Sequence, residues 1–451
     1  MSKKQIILYE LNEVPEIIIH RYSQKSIRFH KLLKDFSFYQ TKSYDETNLH
    51  PWITWSTVHR GVNFQEHQIS NLGQDVSKQN IKFPPIWMNL LKKGLKVGVY
   101  GSMHSNALPK NFSDYDFYIP DAFSNHSNCH PNFLKPIQDF QLKLTRGSAR
   151  NIKKSFLKDL SIAFLIAILK SGITLKTFLR LFKQIINEQI HKEKINRRRT
   201  FQSVINFDIY MQLLTEKSPN FSSFFSNHVA SAMHRYWEAA YPKDFKNKNK
   251  QNKVWRKKYK NEINFAMQIF EEQLFKLLKY ASKKDNCEIW ICTSMGQAPD
   301  LNYEPIHSHL YLTNPSKLLD FLNFDRNSFT IMPAMMPKVC FTSSKENITR
   351  LSYKIKHLTI NNRRCKQIVT ENSITLVIGC HNKIPEVRYQ NNIVELNNLG
   401  LEIVKVKDQS GSSGVHIPEG VLLIYGKNSE RFRNLEVIPT NKIKKLLCTS
   451  F

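Results

Sequence analysis

The chain has 451 residues, enough for one large α/β domain carrying an insertion or for two to three smaller domains. Hydrophobic residues at 41% and aromatics at 12% exclude a disordered chain. Lysine and arginine total 66 against 37 aspartates and glutamates, and the net charge of +29 points to an anionic partner or to a solvated basic surface.

In chain order, "QIILYEL" (5–11) reads as a first buried strand. The segment "MSKKQIILYELNEVPEIII" is not read as a signal peptide, because Glu10, Asn12 and Glu13 interrupt its apolar run and no small-residue cleavage site follows. "IWMNLLKK" (86–93) has helical spacing and stops at Gly94, and "LKVGVYGS" (95–102) is a second buried strand. From 135 to 205 the texture becomes basic and helical, with apolar residues three and four apart through "SFLKDLSIAFLIAILKSGITLKTFLRLFKQII" and a basic close at "NRRRT". Its longest apolar run, "LSIAFLIAIL" (160–169), is half of the ~20 residues a membrane span needs. A second basic run, "KDFKNKNKQNKVWRKKYK" (243–260), reads as a solvated loop entering a helix. Further apolar strands are expected at 288–296, 373–380 and 420–426. Strands separated by helices predict an α/β fold with a central, mostly parallel sheet covered on both faces. Residues 1–134 and 206–451 are expected to form that core, and 135–205 a basic helical insertion. Seven cysteines without repeated spacing argue for a reducing compartment, so a cytoplasmic location is expected, with peripheral contact to the inner face of the membrane left open through 135–205.

Five stretches carry a resemblance: "NLHPWITWSTVHRGVNFQEHQI" (48–69) followed by "PPIWMNLLKKGLKVGVYGS" (84–102), "NHVASAMHRYWEAAYP" (227–242), "EIWICTSMGQ" (288–297), "GVHIPEGVLLIYG" (414–426) and "LEVIPTNKIKKLL" (435–447). In this order they resemble the alkaline phosphatase-like superfamily, particularly its type I phosphodiesterase/nucleotide pyrophosphatase branch. "ELNE", "PWITW" and "HRYW" also resemble segments of proteins associated with bacterial surface-polysaccharide clusters. The resemblance implies a three-layer α/β sandwich and phosphoester chemistry. It places His416 and His234 at metal-binding positions, where neutral imidazoles suit zinc or manganese.

Departures from the family pattern are as informative. Ala230 stands where an aspartate is expected four residues before His234, and Met295 and Gly296 replace an Asp-His pair. Glu10, Asn12 and Glu13 are the stand-ins for the aspartate that should end the first strand. The position of the family's nucleophile falls on Pro51, and only a small gap brings it to Thr47 or Thr54. A thioether and a glycine cannot hold a hard cation, so the two-metal site of the family is expected to be lost. The expected polar cluster at the sheet edge therefore comprises Glu10, Asn12, Glu13, Asn48, Thr54, His234, Gln297 and His416. Glu10, Thr47 and Thr54 are its catalytic candidates, Asn12, Asn48 and Gln297 its binding candidates, and His234 and His416 its metal ligands. The cofactor expectation is one divalent ion, zinc or manganese, with no cofactor as the equal alternative. Met295 is expected in the place of a lost carboxylate.

Two functions remain open from the residues. One is a hydrolase or transferase acting on a phosphate, phosphodiester or sulfate ester of a glycan or lipid-linked intermediate. The other is a catalytically inactive relative that binds an anionic glycan, a membrane surface or an assembly partner through the basic insertion. "NHSNCHPN" (125–132) offers His126, Cys129 and His130 at ligand-like spacing without a second half-site. No common nucleotide-binding loop is present, and no recognisable nucleic-acid motif accompanies "VWRKKYK".

Overall fold

The computed structural model describes residues 4–45, 49–105, 112–146, 162–332, 334, 337–378, 382, 384–426 and 437–451. The chain divides into two compact units, Met1–Gln141 with Lys158–Glu304 and Gly411–Phe451, and Leu142–Leu157 with Pro305–Ser410.

The first unit is built on an eight-stranded sheet in the order Val437–Pro439, Phe36–Lys42, Glu419–Tyr425, Cys287–Cys292, Gln5–Leu11, Phe221–Ser226, Val97–Tyr100, Phe117–Ile119. All its pairings are parallel except those made by Glu419–Tyr425, which runs antiparallel to both neighbours. The expected mixed α/β architecture with a central, mostly parallel sheet is therefore present. Gln5–Leu11 is buried throughout, as an unbroken apolar run requires when helices cover both faces. Its side chains divide by the two-residue period of a strand. Ile7, Tyr9 and Leu11 enter one core with Phe207, Phe224, Trp237 and Phe270. Ile6 and Leu8 enter the other with Trp55, Val58, Trp87 and Trp290. Helices Arg198–Lys217, His228–Ala240 and Glu262–Ala281 contribute to the first core, and Pro51–Arg60, Ile86–Lys92 and Ile443–Cys448 to the second. Pro51 starts its helix at a position where a missing N–H costs nothing, and Gly61 ends it with φ 72°, a backbone region that suits glycine.

One expectation is corrected. The strand expected at 373–380 is Ser373–Val377, and it lies outside the central sheet. It sits in an antiparallel sheet ordered Lys366–Val369, Ser373–Val377, Lys338–Thr342, Thr330–Met332. Residues 305–410, which lie within the 206–451 part of the expected core, cluster in the second unit. That unit closes its own core around Phe341, Leu351, Ile355, Ile374 and Leu376. An apolar run of five residues carries no signal saying which sheet it joins. Within 135–205, the described helices Ile162–Lys170 and Leu175–Ile190 belong to the first unit.

Candidate functional site

The strand Gln5–Leu11 delivers Asn12 and Glu13 to the C-terminal edge of the parallel strands, where open α/β sheets place their ligands. Glu13 is buried and holds φ 58°, a left-handed backbone that costs a non-glycine residue roughly 1 kcal/mol and is found at functional turns. Helix His228–Ala240 presents His234 two residues before a break in helical geometry at Tyr236. His416 lies on Gly414–Ile417, which pairs antiparallel with Gly296–Pro299 and sets His416 directly opposite Gln297. Residues opposite one another on paired strands share a face, so this short ladder brings both side chains to the same edge.

Three donor atoms converge there. His234 Nε2 is 2.8 Å and His416 Nε2 3.2 Å from Glu13 Oε2, and the two Nε2 atoms are 3.3 Å apart. His234 Nδ1 lies 2.9 Å from the Gly414 carbonyl, and His416 Nδ1 2.7 Å from the Leu49 carbonyl. A carbonyl can only accept, so each Nδ1 carries a proton and each ring turns its Nε2 inward, with a lone pair there whenever the ring is neutral. Asn12 Nδ2 donates to Glu13 Oε1 at 2.7 Å, and Gln297 Nε2 donates to Glu13 Oε2 at 2.5 Å. Trp55 Nε1 donates in turn to Asn12 Oδ1 at 2.8 Å. Burial acts to raise the Glu13 carboxyl, but His416 and His234 outweigh it and hold the group well below the usual carboxylate range. Burial likewise acts to lower His416, and the Glu13 charge reverses this, leaving the imidazole above its ordinary value.

Two inward lone pairs and a carboxylate oxygen at these separations repel one another unless a cation, a proton or a metal ion, lies among them. Donors bound about 2.0–2.1 Å from one tetrahedral ion sit roughly 3.3–3.4 Å apart. The observed triangle of 2.8, 3.2 and 3.3 Å thus takes such an ion once its shortest edge opens by about half an ångström. Among the described residues, Glu13, His234 and His416 are the group of His, Cys, Asp and Glu side chains that could hold a metal. The donor set, two imidazoles and one carboxylate, suits zinc in its three-ligand arrangement with a position left open. Both histidines are half-buried, whereas Glu13 is buried.

The structure thus brings His234, His416, Asn12 and Gln297 together around Glu13. Glu13 was one stand-in among three in the sequence; nothing in its residue type signalled the left-handed turn that aims it at the histidines. Glu10 goes elsewhere, since it shares a strand face with Ile6 and Leu8. It is fully buried, accepting from His59 Nε2 at 2.9 Å and Ser102 Oγ at 3.0 Å. Thr54 is also fully buried, with Oγ1 2.8 Å from Ser294 Oγ and 3.3 Å from the His50 carbonyl one turn earlier in the chain. The structure does not place either catalytic candidate on the Glu13 carboxylate. Thr47 and Asn48 lie outside the described residues. Met295 is buried beside the site strand. Cys129 is buried, with burial pushing its thiol up to about 12, and among the described residues it does not converge with His126 and His130 into a metal-holding group. His50, not singled out in the sequence, stands edge-on to His416 with ring centroids 6.2 Å apart.

No family model and no curated protein matches the chain. Its structure is similar to that of phosphonoacetate hydrolase from Sinorhizobium meliloti 1021 in complex with phosphonoacetate, at 11% identity and a TM-score of 0.44 over 99% of this chain and 96% of that one. It is also similar to murine ectonucleotide pyrophosphatase/phosphodiesterase 5, at 12% identity and a TM-score of 0.39 over 99% and 95% of the two chains. A third similar structure is alkaline phosphatase from the Antarctic bacterium TAB5, at 11% identity and a TM-score of 0.39 over 100% and 99%. The likeness is one of chain course and assigns no chemistry to this chain.

Proposed function

We propose that this protein is a hydrolase or transferase for a phosphate, phosphodiester or sulfate ester, built around one divalent ion held by Glu13, His234 and His416. The observation that carries this reading is the convergence of Glu13 Oε2 and two Nε2 atoms within 3.3 Å of one another, with both Nδ1 protons committed to backbone carbonyls. The bound ion, zinc or manganese, supplies a Lewis acid for an anionic ester oxygen. Asn12 and Gln297 orient the Glu13 carboxylate between them, and the Gly414 and Leu49 carbonyls lock the two rings. The net charge of +29 favours an anionic substrate, and a glycan or lipid-linked intermediate is the class we assign to it.

A second reading, a metal-holding protein that binds such an anion without cleaving it, is favoured by one observation. The hydroxyl of Thr54 is committed to Ser294 and to the His50 carbonyl, away from the Glu13 carboxylate. Aryl phosphate, aryl phosphodiester and aryl sulfate esters incubated with the zinc- and manganese-loaded protein separate the two. Cleavage that is lost in His416→Ala supports the enzyme. Full inertness towards all three, together with retained binding of inorganic phosphate, supports the binding protein.

A further inference from the structure

Helix Leu175–Ile190 reverses the usual amphipathic arrangement, and Ile162–Lys170 before it is apolar nearly all round, turning Phe164, Ala167 and Ile168 to the core. On Leu175–Ile190 the buried residues are Thr177, Gln184 and Glu188, all polar. The polar face is tied to the protein. Thr177 Oγ1 donates to Asp208 Oδ2 at 2.6 Å, and Arg180 pairs with Glu272 at 2.6 Å. Gln184 Nε2 donates to Glu188 Oε1 at 2.8 Å, and Arg198 pairs with the other Glu188 oxygen at 2.7 Å. The apolar stripe, spaced three and four residues apart, points outward. Leu175 is 74% exposed, Phe182 63% and Ile190 71%, with Phe178, Leu179 and Ile186 between them. The preceding helix adds Ile162, Leu165, Ile166 and Leu169 to the exposed apolar residues.

A helix stabilised only by its own domain buries its leucines and phenylalanines and leaves its threonines and glutamates in water. Here the ion pairs and hydrogen bonds hold the apolar stripe away from the core, and an apolar surface this continuous marks a binding face. Its surroundings are cationic. Lys170, Lys176, Lys183 and Lys192 are exposed, and the sole acid between 162 and 192 is the buried, paired Glu188. Residues 142–161 carry six further cations and one acid in the sequence. Among the described residues no helix is long and apolar enough to cross a membrane.

We propose that Ile162–Lys170 and Leu175–Ile190 form a docking face for an anionic lipid bilayer, lying in its interfacial plane with leucine, isoleucine and phenylalanine inserted and lysines on the headgroups. The charge pattern selects this occupant over a second copy of the chain, because a twofold pairing of two such faces sets lysine against lysine. The test is flotation of the full chain with vesicles of phosphatidylcholine, with or without 30 mol% phosphatidylglycerol (about a third anionic lipid), beside a Phe178→Ser/Phe182→Ser variant. Both replaced side chains point outward, so circular dichroism and the thermal midpoint of the variant should match the wild type. The wild type is expected to bind the anionic vesicles roughly tenfold or more tightly than the neutral ones, and the variant to lose about tenfold or more of that affinity. The proposal is overturned if the wild type floats with neither vesicle, if it binds both equally, or if the variant binds as the wild type does. A wild-type dimer in size-exclusion chromatography that the variant abolishes also overturns it, because a second copy then covers the face.

Discussion

Gly414→Ala tests how the site is held together. A Cβ at this position would lie 2.4 Å from Gln297 Oε1, 3.2 Å from the Met233 carbonyl oxygen and 3.4 Å from His234 Cα. Ordinary contact begins near 3.4 Å, so the Gln297 amide must retreat by 3.4 minus 2.4, or about 1 Å. That amide is fully buried, and its Nε2 donates to Glu13 Oε2 at 2.5 Å and to the Ala230 carbonyl at 3.3 Å. Losing a hydrogen bond to a buried carboxylate costs about 1.5–3 kcal/mol, and forcing a methyl into a packed interior adds about 1–3 kcal/mol. The expected loss is therefore about 3–5 kcal/mol in urea unfolding. Loss of a partner that orients a metal ligand typically weakens metal affinity by about 10–100-fold, which isothermal titration with zinc would measure. Gln297→Ala removes the colliding oxygen, so in the double variant the added cost of the alanine should fall by at least ~2 kcal/mol, a coupling expected only for groups in contact. Strict additivity of the two substitutions, or a Gly414→Ala protein that unfolds and binds zinc as the wild type does, refutes this account.

Acid should weaken the fold through three buried histidines. Burial, reinforced by Arg60, pushes His67 and His104 down to about 3, and burial pushes His228 down to about 4. Their pKa values are lowered relative to an unfolded value near 6.5, so the unfolded chain takes up the protons first and stability falls as pH drops below about 6.5. At pH 5 each costs about 2 kcal/mol, together about 6 kcal/mol, and Asp121, which burial raises to about 7, returns about 2 kcal/mol over the same range, leaving a net loss of about 4 kcal/mol. Urea midpoints at pH 7 and 5 measure this, and equal midpoints would contradict it. Glu238→Gln should cost about 2–4 kcal/mol and speed tryptic cleavage within 243–260. The fully buried carboxylate accepts from Lys250 N at 2.9 Å, from Gln251 N at 3.0 Å and from Tyr303 Oη, and an unchanged digestion pattern would show that this anchoring is dispensable. Glu13→Gln should abolish zinc-dependent stabilisation, which is about 2.7 kcal/mol at a hundredfold excess over the dissociation constant, and its survival in unfolding with and without zinc would remove Glu13 from the ligand set.

The first strand was legible in the sequence because a strand buried on both faces leaves an unbroken apolar run, and Gly94 marked the end of its helix because few other residues adopt φ 76°. His234 and His416 were legible through the order of the motifs around them. Glu13 was not, since its role depends on a left-handed turn that aims a side chain across to residues more than two hundred positions away. Glu10 and Thr54 show the converse. Each has the residue type that chemistry needs, and each is turned by strand or helix periodicity toward a different partner. The amphipathic spacing of 175–190 was evident, but spacing does not say which face is buried. That became visible only when Asp208 and Glu272, on two other helices, were seen to claim its polar side.

The central claim is that one ion sits among Glu13, His234 and His416, and the most direct measurement is elemental analysis of the purified chain beside its His234→Ala and His416→Ala variants, after equilibration with zinc or manganese and removal of free metal. The account predicts close to one equivalent per wild-type chain and loss of that metal in each folded variant. Wild-type protein that retains neither zinc nor manganese, or variants that retain as much as the wild type, would contradict it.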